Sequence, residues 1–197
     1  YMNAGAAKDY RRLARRRLPR MVFDYIDGGA FDEQTLGLND SDLAAVRLRQ
    51  RVLNDCRDLN LSTRLFGEDL AMPVILAPVG MAGMYARRGE VQAARAAQAA
   101  GVPFCLSTVS VCSIEEVAGA VARPPWFQLY MIKDRARLSD LLARAQAVAA
   151  PPLVFTVDMA VPGLRYRDSR SGFAGDPSLL RSLTRMVDRK SGVQGKS

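Results

Sequence analysis

The chain contains no histidine. Histidine is the side chain that most readily exchanges protons near neutral pH, so any general base in these 197 residues has to be of another type. Cysteine is scarce as well: Cys56, Cys105 and Cys112 are odd in number, lack zinc or redox spacing, and Cys105 falls inside an apolar run. That pattern argues against a metal centre or a catalytic thiol and reads as small buried hydrophobes in a reducing compartment. No apolar run reaches the roughly 18 residues of a membrane span, and the N-terminus lacks the apolar stretch of a signal peptide, so neither is expected. Acidic residues are outnumbered, Asp+Glu 20 against Lys+Arg 28, which leaves a net charge of +8. Much of the excess sits in Arg11, Arg12, Arg15, Arg16, Arg17 and Arg20. A basic helix there suits anionic lipid or nucleic acid, or simply presents a solvated face. No aromatics interleave with these arginines as a base-stacking platform requires, so no nucleic-acid partner is expected.

What the chain does have is a rhythm. Four short apolar runs recur, residues 73–78 (PVILAP), 102–107 (VPFCLS), 126–130 (WFQLY) and 153–158 (LVFTVD), with amphipathic stretches between them. A short apolar strand followed by a helix, repeated along the chain, predicts an α/β fold with a parallel sheet or a (β/α) barrel. In such barrels ligands sit at the C-terminal ends of the strands. The rhythm stops after the fourth unit, and a full eight-unit barrel takes roughly 250 residues.

Residues 7–18 read as a helix, and Pro19 starts a second short one over 21–26, which Asp27-Gly28-Gly29 breaks. A weaker helical pattern covers 30–45, followed by a mixed polar and apolar stretch to Leu70. The alanine-rich segment 89–100 is strongly helical, with Gly101 as its stop. Over 110–122, Ser113 with Glu116 three residues on forms a capping box. Helical spacing returns over 134–150, and 161–170 reads as a loop rich in Arg and Asp.

Strand alternation sorts the polar residues. Gln128 and Tyr130 share one face, as do Thr156 and Asp158, while Phe127, Leu129, Phe155 and Val157 face the other way. Two polar pairs on neighbouring apolar strands suit either a pocket at the barrel mouth or satisfied hydrogen bonds within the core. After the first run, Val79-Gly80-Met81-Ala82-Gly83 is small enough to let a flat ligand reach the main chain. Arg165, Arg167 and Asp168 follow the fourth run; a guanidinium there suits a carboxylate or phosphate, or is a solvated loop charge.

Segments 76–90 (LAPVGMAGMYARRGE), 106–116 (LSTVSVCSIEE), 126–130 (WFQLY), 155–168 (FTVDMAVPGLRYRD) and 18–29 (LPRMVFDYIDGG) resemble the FMN-dependent 2-hydroxy-acid oxidase and dehydrogenase family. The likeness covers roughly residues 8–185 and is strongest to its bacterial, respiratory, L-lactate-oxidising members. It implies a TIM (β/α)8 barrel, of which this chain carries an N-terminal helical segment (1–70), about the first four βα units (71–185) and a divergent tail (186–197). It implies FMN as cofactor, oxidation of L-lactate to pyruvate, and electrons passed to a quinone or other respiratory acceptor. Mandelate or glycolate as substrate, or a non-catalytic half-barrel, are the alternatives. Carried over by position, Ala77, Pro78, Val79 and Gly80 bring main chain against the flavin, and Ser107, Gln128 and Thr156 hydrogen-bond it. Tyr25 and Tyr130 bind substrate, and Arg165 clamps its carboxylate. The family's histidine base, a lysine near the flavin, a second carboxylate-binding arginine and the phosphate-binding loops have no counterpart here, so the isolated chain is expected to be inactive. The polar stretch 190–197 reads as a premature end, a frameshift product or a cloning scar. The resemblance further implies a cytoplasmic protein with peripheral contact to the inner membrane, and full-length relatives that are homo-oligomers.

Overall fold

The computed structural model describes residues 4–150, 152–158 and 163–173. In chain order the elements are α1 (Ala7–Arg17), α2 (Arg20–Asp27), α3 (Gln34–Ala45), β1 (Thr63–Leu65), β2 (Glu68–Leu70), α4 (Ala82–Tyr85), α5 (Gly89–Ala99), β3 (Cys105–Leu106), α6 (Ile114–Ala118), β4 (Trp126–Tyr130), α7 (Arg135–Ala147), β5 (Leu153–Thr156) and α8 (Tyr166–Ser171). The described residues divide into a helical unit, 4–54 with 163–173, and a sheet unit, 55–150 with 152–158.

In the helical unit, α1 carries Asp9 in its first turn and Arg15, Arg16 and Arg17 in its last, the arrangement its dipole favours. Pro19 is the N-cap of α2, where a missing N–H costs nothing. Val22, Phe23 and Phe173 are buried, and the Tyr25 and Phe173 rings stack with centroids 4.5 Å apart, so α2 packs on α8. Arg167 fastens the two segments, Nη1 to Asp27 at 2.7 Å and Nη2 to Glu33 at 2.6 Å, while Arg11 pairs with the same Asp27. The expected loop over 161–170 is therefore corrected within the described residues: Tyr166–Ser171 is helical. Packing and ion pairs outweigh its polar composition, and Gly172, at φ +84°, ends the helix. Residues 161 and 162 lie outside the described residues.

The sheet unit is built on three parallel strands in the order β3-β4-β5, with Leu106 opposite Phe127 and Tyr130 opposite Thr156. One face, with Phe104, Leu106, Phe127 and Leu129, packs on α5 (Val91, Ala94, Ala97), α6 (Ile114, Val117) and α7 (Leu138, Ala145) to form the core. The antiparallel hairpin β1-β2 turns on Phe66 and Gly67, both with positive φ, the geometry of a two-residue hairpin loop. Phe66 meets Trp126 edge to face, and the Trp126 indole N–H donates to Glu68 Oε1 at 3.2 Å. The hairpin thus sits at the N-terminal end of β4, away from the strand ends expected to meet ligand. Nothing in the polar-apolar stretch before Leu70 had marked it.

Three further expectations change. Residues 73–78 form only one parallel bridge, Leu76 with Phe104, not a strand; Pro73, Pro78 and the facing Pro103 have no N–H to extend the ladder. The helix expected over 110–122 covers only α6, with Ser113 Oγ accepting from the Glu116 N–H at 3.2 Å. The return arm of the capping box is missing because the Glu116 carboxylate pairs with Arg88 at 2.9 Å. The fourth strand stops at Thr156, and its apolar face is open: Phe155 and Val157 are exposed.

Candidate functional site

Three polar side chains stand in a row across the sheet, Ser107 just past β3, Gln128 in the middle of β4 and Thr156 at the end of β5. Gln128 is 2% exposed and Ser107 4%. Gln128 Nε2 donates to Thr156 Oγ1 at 2.9 Å, and its Oε1 accepts from Ser107 Oγ at 3.4 Å and from the Thr108 N–H at 3.3 Å. The amide is thereby fixed in orientation, with one N–H used on Thr156, and the Thr156 hydroxyl proton has no acceptor among the described residues. A row held this way offers pre-oriented donors to the polar edge of a ring. Thr108, which sequence reasoning missed, stitches the strand ends: its Oγ1 donates to the Gln128 carbonyl at 2.5 Å and accepts from the Tyr130 N–H at 3.1 Å. Its only sequence signal is a hydroxyl directly after a strand, which means little without the register.

Next to the row runs the segment 77–80. Among the described residues the N–H groups of Ala77, Val79 and Gly80 make no hydrogen bond, whereas Leu76 donates to Pro103 and Met81 to Val109. Ala77 and Val79 are exposed, and Pro78 and Gly80 half-buried. A Cβ added at Gly80 would lie 2.8 Å from Val109 Cγ2 and 4.0 Å from Ser107 Oγ. Glycine thus brings this main chain against the Ser107 end of the row, leaving free donors beside it. Tyr130 ends β4 half-buried, its hydroxyl without a hydrogen bond among the described residues. Asp158, expected to share the face of Thr156, is exposed.

In the helical unit, the Arg165 guanidinium lies 4.9 Å from the centre of the Tyr25 ring. Its Nη2 donates to the carbonyls of Tyr25 at 2.5 Å and Gly28 at 2.8 Å, capping the C-terminal end of α2. Its Nε lies 3.0 Å from Asp168 Oδ2. The arginine is thus held in place, and among the described residues its Nη1 makes no hydrogen bond. Burial holds the Asp168 carboxyl above its usual range, with Arg165 pulling the other way. Asp27 is held low, first by Arg11 and then by Arg167, against a burial penalty. Arg11, Arg12, Arg15, Arg20, Arg167 and Arg170 line a cleft of about 820 Å³, with Asp24 and Asp27 as its acidic members.

In the sheet unit, burial pushes the Cys105 thiol up to about 11 and that of Cys112 up to about 12, Glu90 adding to the latter; neither is a nucleophile at neutral pH. Among the described residues no cluster of His, Cys, Asp and Glu suits a metal ion, and no helix is long and apolar enough to cross a membrane.

A parallel sheet backed by helices, with polar groups gathered along one face of its strands, defines an α/β protein. Residues 14–197 match the family model for FMN-dependent dehydrogenases, and the chain belongs to that family. It is 62% identical over 186 residues to an L-lactate dehydrogenase of Xanthomonas euvesicatoria pv. vesicatoria, covering 94% of this chain and 48% of the relative. It is 59% identical over the same length to an L-lactate dehydrogenase of Yersinia pestis, covering 94% and 49%. Among solved structures, the monotopic membrane protein (S)-mandelate dehydrogenase superposes with a TM-score of 0.82 at 37% identity, covering 87% of this chain and 46% of that one. A mandelate oxidase gives 0.81 at 39%, covering 86% and 49%. The fold is that of the TIM barrel, and the chain spans about half the length of the curated relatives it matches. The sheet unit fits the family's cofactor: unbonded main-chain donors at 77–80, a glycine with no space for a Cβ, and a buried polar row beside them suit a flat heteroaromatic ring with a polar edge.

Proposed function

We propose that this chain forms the flavin-facing part of an FMN-dependent L-lactate dehydrogenase, which oxidises L-lactate to pyruvate. The observation that carries the reading is the Ser107–Gln128–Thr156 row across the parallel strands beside the N–H groups of 77–80, which are unbonded among the described residues. Lactate is favoured over mandelate because the lactate dehydrogenases are 59–62% identical to this chain and the mandelate enzymes reported above 37–39%.

In this reading Ala77, Pro78, Val79 and Gly80 lay main chain against the flavin ring, and Ser107, Gln128 and Thr156 bond its polar atoms. Bound FMN would supply the two-electron acceptor, with a quinone or another respiratory acceptor as its onward partner. Tyr130, at the end of β4, meets substrate. In the helical unit, Tyr25 also meets substrate and Arg165 takes its carboxylate through Nη1, the nitrogen not spent on the carbonyls of α2. Turning a 2-hydroxy acid into a 2-oxo acid also releases two protons, and with no histidine in these residues the base that the family resemblance assigns to histidine is not among them. The arginine-lined cleft and the basic last turn of α1 support peripheral contact with the anionic cytoplasmic face of a membrane.

Titrating FMN with the chain and following flavin fluorescence tests the cofactor reading. Quenching is expected, and Gln128→Leu should weaken binding about tenfold by removing the amide from the row. Absence of quenching, or a variant that binds as the parent does, would sink it.

A further inference from the structure

Glu90, in the first turn of α5, is the most buried charged residue among those described, 1% exposed. Its Oε1 accepts two main-chain hydrogen bonds, from the Gly83 N–H at 3.0 Å and from the Val111 N–H at 2.9 Å. Those donors belong to different segments: Gly83, in the single turn of α4, follows the 77–80 segment, and Val111 lies in the loop after Ser107. Glu90 forms no ion pair among the described residues, and its Oε2 is buried without a hydrogen-bond partner. The buried Cys112 thiol, which this carboxylate helps to hold protonated, lies beside it. A carboxylate stripped of water and given no cation is costly unless its hydrogen bonds hold something in place.

What it holds is a close contact between the two segments. A Cβ added at Gly83 would stand 2.7 Å from Val111 Cβ and 3.1 Å from Glu90 Oε2. The Met81 N–H donates to the Val109 carbonyl at 2.9 Å, a second link between the same segments. Gly89, directly before Glu90, has no space for a side chain either, since a Cβ there would lie 2.4 Å from the Ala82 carbonyl oxygen. The backbone is thus drawn in to bring the carboxylate under both segments.

We infer that Glu90 is a positioning residue that sets the spacing between the 77–83 segment, which runs into α4, and the 107–111 loop, and so between the free main-chain donors and the Ser107 end of the polar row. The inference rests on the flavin reading for its functional meaning, and on the two hydrogen bonds for its geometry. Because both donors go to one oxygen, an amide in place of the carboxylate keeps both bonds, whereas a methyl group keeps neither.

Glu90→Gln and Glu90→Ala variants of the chain decide it, with amide hydrogen exchange at Gly83 and Val111 read beside FMN affinity and the thermal midpoint. Glu90→Gln should keep both amides protected and bind FMN within about threefold of the parent, while Glu90→Ala should lose protection at both and weaken FMN binding by at least about tenfold. The Leu106 and Gln128 amides should stay protected in both variants. Unchanged protection and affinity in folded Glu90→Ala would overturn the inference. Should that variant not fold, loss of protection at Gly83 and Val111 in folded Glu90→Gln would overturn it instead. A parent chain that binds no FMN would defeat the flavin reading, yet the exchange pattern would still decide whether Glu90 sets the two segments.

Discussion

Gln128 shows how a single side chain is prepared for a ligand: its amide oxygen is taken by Ser107 and Thr108 and one amide hydrogen by Thr156, so the group cannot rotate. Strand alternation was enough to put Gln128 and Thr156 on one face. It could not reveal Thr108 or Glu90, whose roles depend on which loop lies beside which. Cys105 was legible for a simpler reason, since a small thiol in an apolar run belongs in a core, whereas Cys56, expected to be buried with the other two, lies at the surface. Cys105 and Cys112 are buried with their thiols held protonated, and Cys56 is exposed. A chromogenic disulfide reagent at pH 8 should therefore titrate one thiol rapidly in the native chain and all three after denaturation. Two or more fast thiols would mean that the packing around α5 and α6 is looser than described.

Among the elements, α6 and α7 are joined by a bidentate pair, Arg144 Nε and Nη2 to Glu115 at 2.6 and 2.8 Å. Arg144 above all holds the Glu115 carboxyl down at about 2, against the ordinary 4.5. A depressed carboxylate stabilises the fold fully above its unfolded value, and the gain is lost as pH falls through its folded one. Both partners touch solvent, with 48% of the Glu115 side chain exposed, so the pair is worth no more than about 1 kcal/mol. Replacing Glu115 with Gln should lower the denaturation midpoint at pH 7, and the gap to the parent should close between about pH 4.5 and 2. A gap independent of pH would show that Glu115 acts through packing instead. Helices with strong local signals, such as the alanine-rich α5 and the Asp134-capped α7, were readable to within a few residues. The 73–78 run was not, because three prolines strip the pairing that its apolar composition suggested. Nor was α8, whose helix exists through its packing on α2.

On the scale of the whole molecule, charge and apolar surface are unevenly shared. The helical unit bears the arginine cleft, and it should carry the chain onto vesicles containing anionic lipid. Co-sedimentation is expected at low salt and should largely disappear at about 0.5 M, where screening shortens the reach of exposed charges. Binding that ignores salt would rule out an electrostatic contact. Among the described residues β5 is the edge strand of its sheet, with Leu153, Phe155 and Val157 exposed, and an edge strand of this kind invites pairing with other chains. The hairpin at the opposite end of the strands gives the molecule an optical property of its own. Trp126 is the sole tryptophan of the sequence, and it is buried beneath Phe66 with its indole tied to Glu68. Emission excited at the red edge of the absorption band therefore comes from one position at the foot of β4, so its shift in wavelength times the opening of the sheet unit without a label and without interference from the tyrosine-only helices.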